Sequence, residues 1–174
     1  DDLTSALLAA RLDDGSSDGD RLADEEIIAF LFLMVIAGNE TTTKLLGHAL
    51  FHLSAHPDQQ ERVFAHAEDP EGLVSPWIEE TLRFDTSSQM IARHLLHDVE
   101  LHGKVAPAGS KVVLALGSAN RDDRVFADPD RYDIFRDKEE LGQLLSFGGG
   151  RHFCLGANLA RLEAQIVLQE LVKR

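Results

Sequence analysis

The chain has 174 residues, 44% hydrophobic and 27% charged, with a net charge of −13 and a single cysteine. That length suits one domain with a real core, and the acidic balance excludes the basic footprint of a nucleic-acid binder or of a protein drawn to an anionic membrane surface. One cysteine excludes an internal disulfide, so a reducing cytoplasm is the expected compartment and the thiol is buried and inert, reactive, or bound to a metal.

Residues 3–12 have helical spacing and run into an acidic, Gly/Ser-rich stretch, residues 13–20, that reads as a solvated loop. Residues 1–20 are thus a helix and acidic loop leading into the rest, and residues 1–174 are expected to form a single unit. Asp24, Glu25 and Glu26 supply the negative first turn of a second helix. Its pattern continues to about Ser54, and Pro57 enforces a stop. Roughly 30 helical residues span ~45 Å. The uncharged apolar run, residues 27–38, is shorter than the ~20 residues of a membrane span. A buried helix within a larger body is therefore expected, and no membrane.

A shorter amphipathic helix is expected from Pro57 to about Ala67, then a Pro/Gly loop through Pro76 and a helix over residues 77–84. Val99-Glu100-Leu101-His102 alternates, Gly103-Lys104 can turn, Pro107-Ala108-Gly109 marks a second turn, and the apolar run 112–116 follows. These read as short strands. Residues 120–142 read as irregular, and a glycine-rich loop, residues 147–156, leads into a final amphipathic helix over residues 158–173. The chain stops inside that helix without a capping residue, which reads as a truncation. The fold class is mainly α with a small β portion.

Four patterns carry chemistry. In Phe147-Gly148-Gly149-Gly150-Arg151-His152-Phe153-Cys154-Leu155-Gly156, three glycines permit a tight, partly left-handed loop. The cysteine stands at the mouth of a helix, where N–H groups and the dipole favour a thiolate. Gly156 removes a side chain beside the sulfur, so that a flat macrocycle can approach. The same features also fit a plain glycine turn before a buried cysteine. Glu80-Thr81-Leu82-Arg83 places Glu and Arg at i, i+3, by itself the spacing of a surface ion pair. Within the long helix, Met34, Ala37, Gly38, Thr41 and Leu45 share one stripe, small enough in the middle to leave room for a flat cofactor. The Thr41 hydroxyl can bond back to the Ala37 carbonyl; the plainer reading is threonines tolerated by packing. Arg93, alone, is a solvated surface residue. His48, His52 and His56 share a helical face, but no carboxylate or cysteine is placed to complete a metal site.

The loop resembles the Phe-x-x-Gly-x-His/Arg-x-Cys-x-Gly signature of the cytochrome P-450 haem-thiolate family at every defined position. The resemblance implies the C-terminal, haem-binding portion of that fold, with Cys154 as the axial thiolate of haem b. It implies cofactor contacts from Phe147, Gly148, His152 and Gly156, with His152 reaching a propionate, and from Ala37 and Gly38. Arg93, ten residues after Arg83, is similar in position to a family arginine that pairs with a propionate. Residues 37–42 look like the oxygen-activation motif, which implies that Glu40 and Thr41 deliver protons. Glu80 and Arg83 resemble the family's Glu-x-x-Arg pair, buried with a third basic residue, Arg136 or, as a substitute, Arg131, to hold the cysteine loop. Residues 85–89 lack the proline common after that motif.

The function this resemblance implies is a soluble, cytoplasmic monooxygenase that inserts one oxygen atom into a hydrophobic small molecule, fed by a ferredoxin or flavodoxin. Two alternatives stand beside it: a non-catalytic haem-thiolate binding module, and a fragment that binds no haem and only self-associates. The family's N-terminal half has no counterpart here. This piece alone is accordingly expected to be inactive and to self-associate.

Overall fold

A computed structural model describes residues 2–11, 21–68 and 72–174. The acidic stretch 13–20 lies outside the described residues. By compactness the chain divides into Asp1–Glu40 and Thr41–Arg174, with the boundary inside one long helix.

In the first unit, α1 (Leu3–Ala9) is capped by Asp2, whose carboxylate accepts the Ser5 N–H at 2.8 Å. That bond holds the Asp2 carboxyl below its ordinary range. An antiparallel bridge pairs Arg11 with Arg21. The long helix α2 (Asp24–Ser54) begins with Asp24, Glu25 and Glu26 beside its unpaired N–H groups, and Glu26 accepts the Ala23 N–H at 2.8 Å. Ile27 is buried, but Ile28, Phe32, Leu33, Val35 and Ile36 are each at least half exposed. The apolar run read as buried is therefore uncovered among the described residues. By length and composition α2 is also long and apolar enough to cross a membrane, a test that the core helix of a soluble protein passes equally.

The second unit is built on the last three turns of α2. Leu45, Ala49 and Leu53 recur every fourth residue and are buried. They join Val63 from α3 (Pro57–Ala65), Trp77, Ile78 and Leu82 from α4 (Val74–Phe84), and Ala164, Leu168 and Val172 from α7 (Ala157–Val172) in one core. Trp77 donates its indole N–H to the Ala49 carbonyl at 3.0 Å, fixing α4 against α2. The Pro/Gly loop expected through Pro76 ends sooner, because Pro76 falls in the first turn of α4, where its missing N–H has no bond to lose.

Four short strands follow: β1 (Ile91–His94), β2 (Val99–Leu101), β3 (Lys104–Ala106) and β4 (Lys111–Leu114). β2 and β3 form a hairpin whose turn residues His102 and Gly103 both have positive φ. β4 pairs antiparallel with β1, setting Arg93 opposite Val112. β1 had no alternating apolar pattern to announce it; its partner strand creates it. Between β4 and the cysteine loop the chain is irregular apart from two one-turn helices, α5 (Leu116–Ala119) and α6 (Lys138–Leu141).

Candidate functional site

The cysteine loop is shaped by glycine backbone geometry. Gly148 and Gly150 take φ of +72° and +64°, the left-handed region, whereas Gly149 is extended. A one-turn 3₁₀ helix, Gly150–His152, carries the chain back so that the Cys154 N–H donates to the Phe147 carbonyl at 2.9 Å. Cys154 is exposed, shortly before Gly156, the N-cap of α7. A Cβ on Gly156 would lie 4.0 Å from the Cys154 sulfur. The hydrogen at that position keeps the sulfur's flank open. Phe153 and Leu155 beside it are also exposed, Leu155 at 83%.

A cavity of about 380 Å³ opens beside this loop, lined by Ile91, Leu114, Leu116 and Leu145, by Gly148, and by Arg93 and His152. The structure thus brings Arg93, Gly148 and His152 to one apolar hollow. That lining suits haem, with apolar walls for the macrocycle and Arg93 and His152 as hydrogen-bond donors for propionates, and the same loop carries an exposed thiol that suits iron.

Beneath the loop lies a buried ion network. Glu80 and Arg83 are fully buried, and Arg83 binds both oxygens of Glu80 at 2.7 and 2.8 Å. The other N–H groups of Arg83 reach the carbonyls of Asn120, Pro129 and Arg131, so all five of its donors are used. Arg136 is the third basic residue, donating to Glu80 at 3.1 Å and to Glu140 at 2.9 Å. Burial lowers its pKa, but bonding to Glu140 and the charge of Glu80 outweigh that and raise it. Arg131 contributes its carbonyl, while its own side chain pairs with Asp133 near the surface.

Sequence reasoning missed the tie between this network and the loop. Buried Asn120 accepts the Leu145 N–H at 2.7 Å and donates to Ser146 at 2.8 Å, and the Ser146 hydroxyl donates to the Leu82 carbonyl. An asparagine in a polar, irregular stretch gives no sign of burial. Sequence reasoning also missed an aspartate on the histidine face, which hydrogen-bonds two of the rings. Asp85 accepts from His52 at 3.0 Å through its side chain and from His48 at 2.8 Å through its carbonyl. His56 bonds the His52 carbonyl, and no cluster that could hold a metal occurs among the described residues.

On α2, Thr41 is half-buried and its carbonyl accepts the Ser87 hydroxyl at 2.8 Å. Ala37, Gly38 and Glu40 are exposed and belong to the first unit. Open space surrounds Gly38, with nothing within 4 Å of a Cβ built there.

Comparison with known proteins gives one family. The cytochrome P450 family model matches residues 1–68 and 73–174. A Mycobacterium tuberculosis protein named putative cytochrome P450 123 is 58% identical over 99% of this chain. A vitamin D(3) 25-hydroxylase of Pseudonocardia autotrophica is 46% identical over 95% of it. The chain spans about 40% of the length of either relative. Among solved structures, CYP109E1 from Bacillus megaterium in complex with testosterone superposes with a TM-score of 0.84 at 42% identity, covering 98% of this chain and 44% of that one.

Proposed function

The chain belongs to the cytochrome P450 family, and from that we propose that it is the haem-binding portion of a monooxygenase acting on a hydrophobic small molecule. The observation that carries the reading is the exposed Cys154, held by its N–H bond to the Phe147 carbonyl in the same loop whose Gly148 and His152 line an apolar hollow with Arg93. Haem bound through a thiolate supplies dioxygen activation, placing one oxygen atom in the substrate and releasing the other as water at the expense of two electrons and two protons.

The chain's own residues do the rest. Cys154 supplies the thiolate, and Gly156 leaves its flank clear. Arg93 and His152 hold the propionates, and the apolar walls exclude water from the macrocycle faces. Glu80, Arg83 and Arg136 keep the loop's foundation rigid, with Phe147 and Gly148 setting its turn. On the family's pattern, Ala37 and Gly38 leave space along α2, while Glu40 and Thr41 pass protons. The electrons come from a ferredoxin- or flavodoxin-type donor in the cytoplasm. A vitamin D(3) hydroxylase among the relatives and testosterone in a structural neighbour favour a bulky apolar substrate.

The test uses the full-length protein. Its reduced carbonyl complex is expected to show the red-shifted Soret band of thiolate ligation, and Cys154→Ala is expected to abolish it. Survival of that band in the variant would refute the assignment.

A further inference from the structure

The pair Glu79 and Arg161 has no part in the network beneath the loop, yet it touches the loop itself. Glu79 precedes Glu80 on α4, and neighbouring helical residues point about 100° apart. One carboxylate therefore turns to the buried arginines and the other to α7. There Arg161 binds Glu79 through both oxygens, at 2.6 and 3.0 Å. The same guanidinium lies 4.6 Å from the Phe147 ring centroid, and the Phe147 ring in turn meets Phe153 at 6.4 Å. Phe147 supplies the carbonyl that receives the Cys154 N–H, and Phe153 adjoins the cysteine. One cation thus packs on the start of the cysteine loop, and the Phe147 ring relays that contact to Phe153 near its end.

We infer that Glu79 and Arg161 are positioning residues for Cys154: the ion pair aims the guanidinium, the guanidinium holds Phe147, and Phe147 holds both the Cys154 N–H and, through its ring, Phe153. This rests on the haem-thiolate reading above. The two side chains are 22% and 33% exposed, beside a groove of about 970 Å³ that Phe147 and Phe153 also line. A partly exposed pair adds little to global stability. Its contribution lies in aim, because a planar fork on a carboxylate fixes the direction of the stacked face in a way a flexible ammonium does not.

The experiment compares full-length parent, Arg161→Ala, Arg161→Lys and Glu79→Gln. Amide hydrogen exchange is followed at Phe153 and Cys154, and at Trp77 and Leu168 as core controls, with and without haem. The lifetime of the thiolate Soret band in the reduced carbonyl complex is followed in parallel. In Arg161→Ala, exchange at Cys154 is expected to quicken and the band's lifetime to shorten, each about tenfold, the joint worth of a bidentate pair and a stacked cation. The two milder variants are expected to fall between, with the core controls unchanged. Loop exchange equal to the parent's in all three variants would overturn the inference, as would an equal rise at the core, which marks a merely structural role. A parent without a thiolate band would sink the haem reading, and the haem-free exchange would still decide what Arg161 does to the loop.

Discussion

Glu80 is fully buried and meets two arginines, and Arg83 on the other side spends every donor it has. Removing such a carboxylate leaves two guanidinium groups without their counter-charge in a site that water does not reach. Glu80→Ala is therefore expected to lower stability by ~3–5 kcal/mol, read as a shift of the denaturant midpoint, whereas Arg131→Ala, whose side chain lies near the surface, should shift it by less than ~1 kcal/mol. Tyr132, the single tyrosine, reports on the same region. Burial pushes its phenol above the ordinary value of 10.0, against the opposing bond to Thr81. Below that value both folded and unfolded chains hold the proton, so the group's effect on stability is constant. As pH rises past it, the unfolded chain ionises first and gains, and stability falls until the folded phenol also ionises. Alkaline unfolding and tyrosinate absorbance should accordingly appear together. Tyrosinate forming near the ordinary value in a chain that stays folded would contradict that placement.

The glycines of the cysteine loop are not equivalent. Gly148 has φ of +72°, and a Cβ there would come within 3.7 Å of the His152 carbonyl; Gly149 is extended, with open space around it. An L side chain in the left-handed region costs roughly 1–2 kcal/mol. Gly148→Ala is thus expected to weaken haem retention about tenfold, while Gly149→Ala leaves it near the parent's, as measured by haem transfer to an acceptor protein. Equal losses would mean that the loop's backbone plays no part in presenting Cys154. Neighbouring elements are fixed by contacts between distant residues in a similar way. Trp77 ties α4 to α2 through the Ala49 carbonyl, and Ser87 ties the segment after α4 to Thr41.

At the scale of the molecule, two apolar stripes are open among the described residues. One runs along the first half of α2 through Ile28, Phe32, Leu33, Val35 and Ile36, and the other along α7 through Leu159, Leu162, Ile166 and Leu171. Contiguous apolar patches of that kind are covered in well-behaved soluble proteins, and the relatives it matches are more than twice as long. At about 25 cal/mol per Å², even a few hundred Å² left wet rivals the net stability of a domain. The chain by itself is expected to self-associate and to turn over no substrate. Size-exclusion chromatography with light scattering checks this, and a stable monomer with monooxygenase activity would refute it.

Sequence alone determined the family, the fold class and the length of α2, because each is written in local pattern: a loop signature within ten residues, an apolar run between an acidic start and Pro57, and alternation around two turns. It also supplied residue types for the network beneath the loop. Tertiary structure decided which of them meet. Whether Arg136 or Arg131 reaches Glu80 depends on how a polar, irregular segment folds back over α4. The same holds for Asp85 between His48 and His52, for Asn120 at the root of the loop, for β1 beside β4, and for Glu79 on Arg161, 82 residues away. Helices and turns are set by neighbours a few residues apart. A buried polar side chain, by contrast, takes its meaning from a partner that only chain closure brings within about 3 Å.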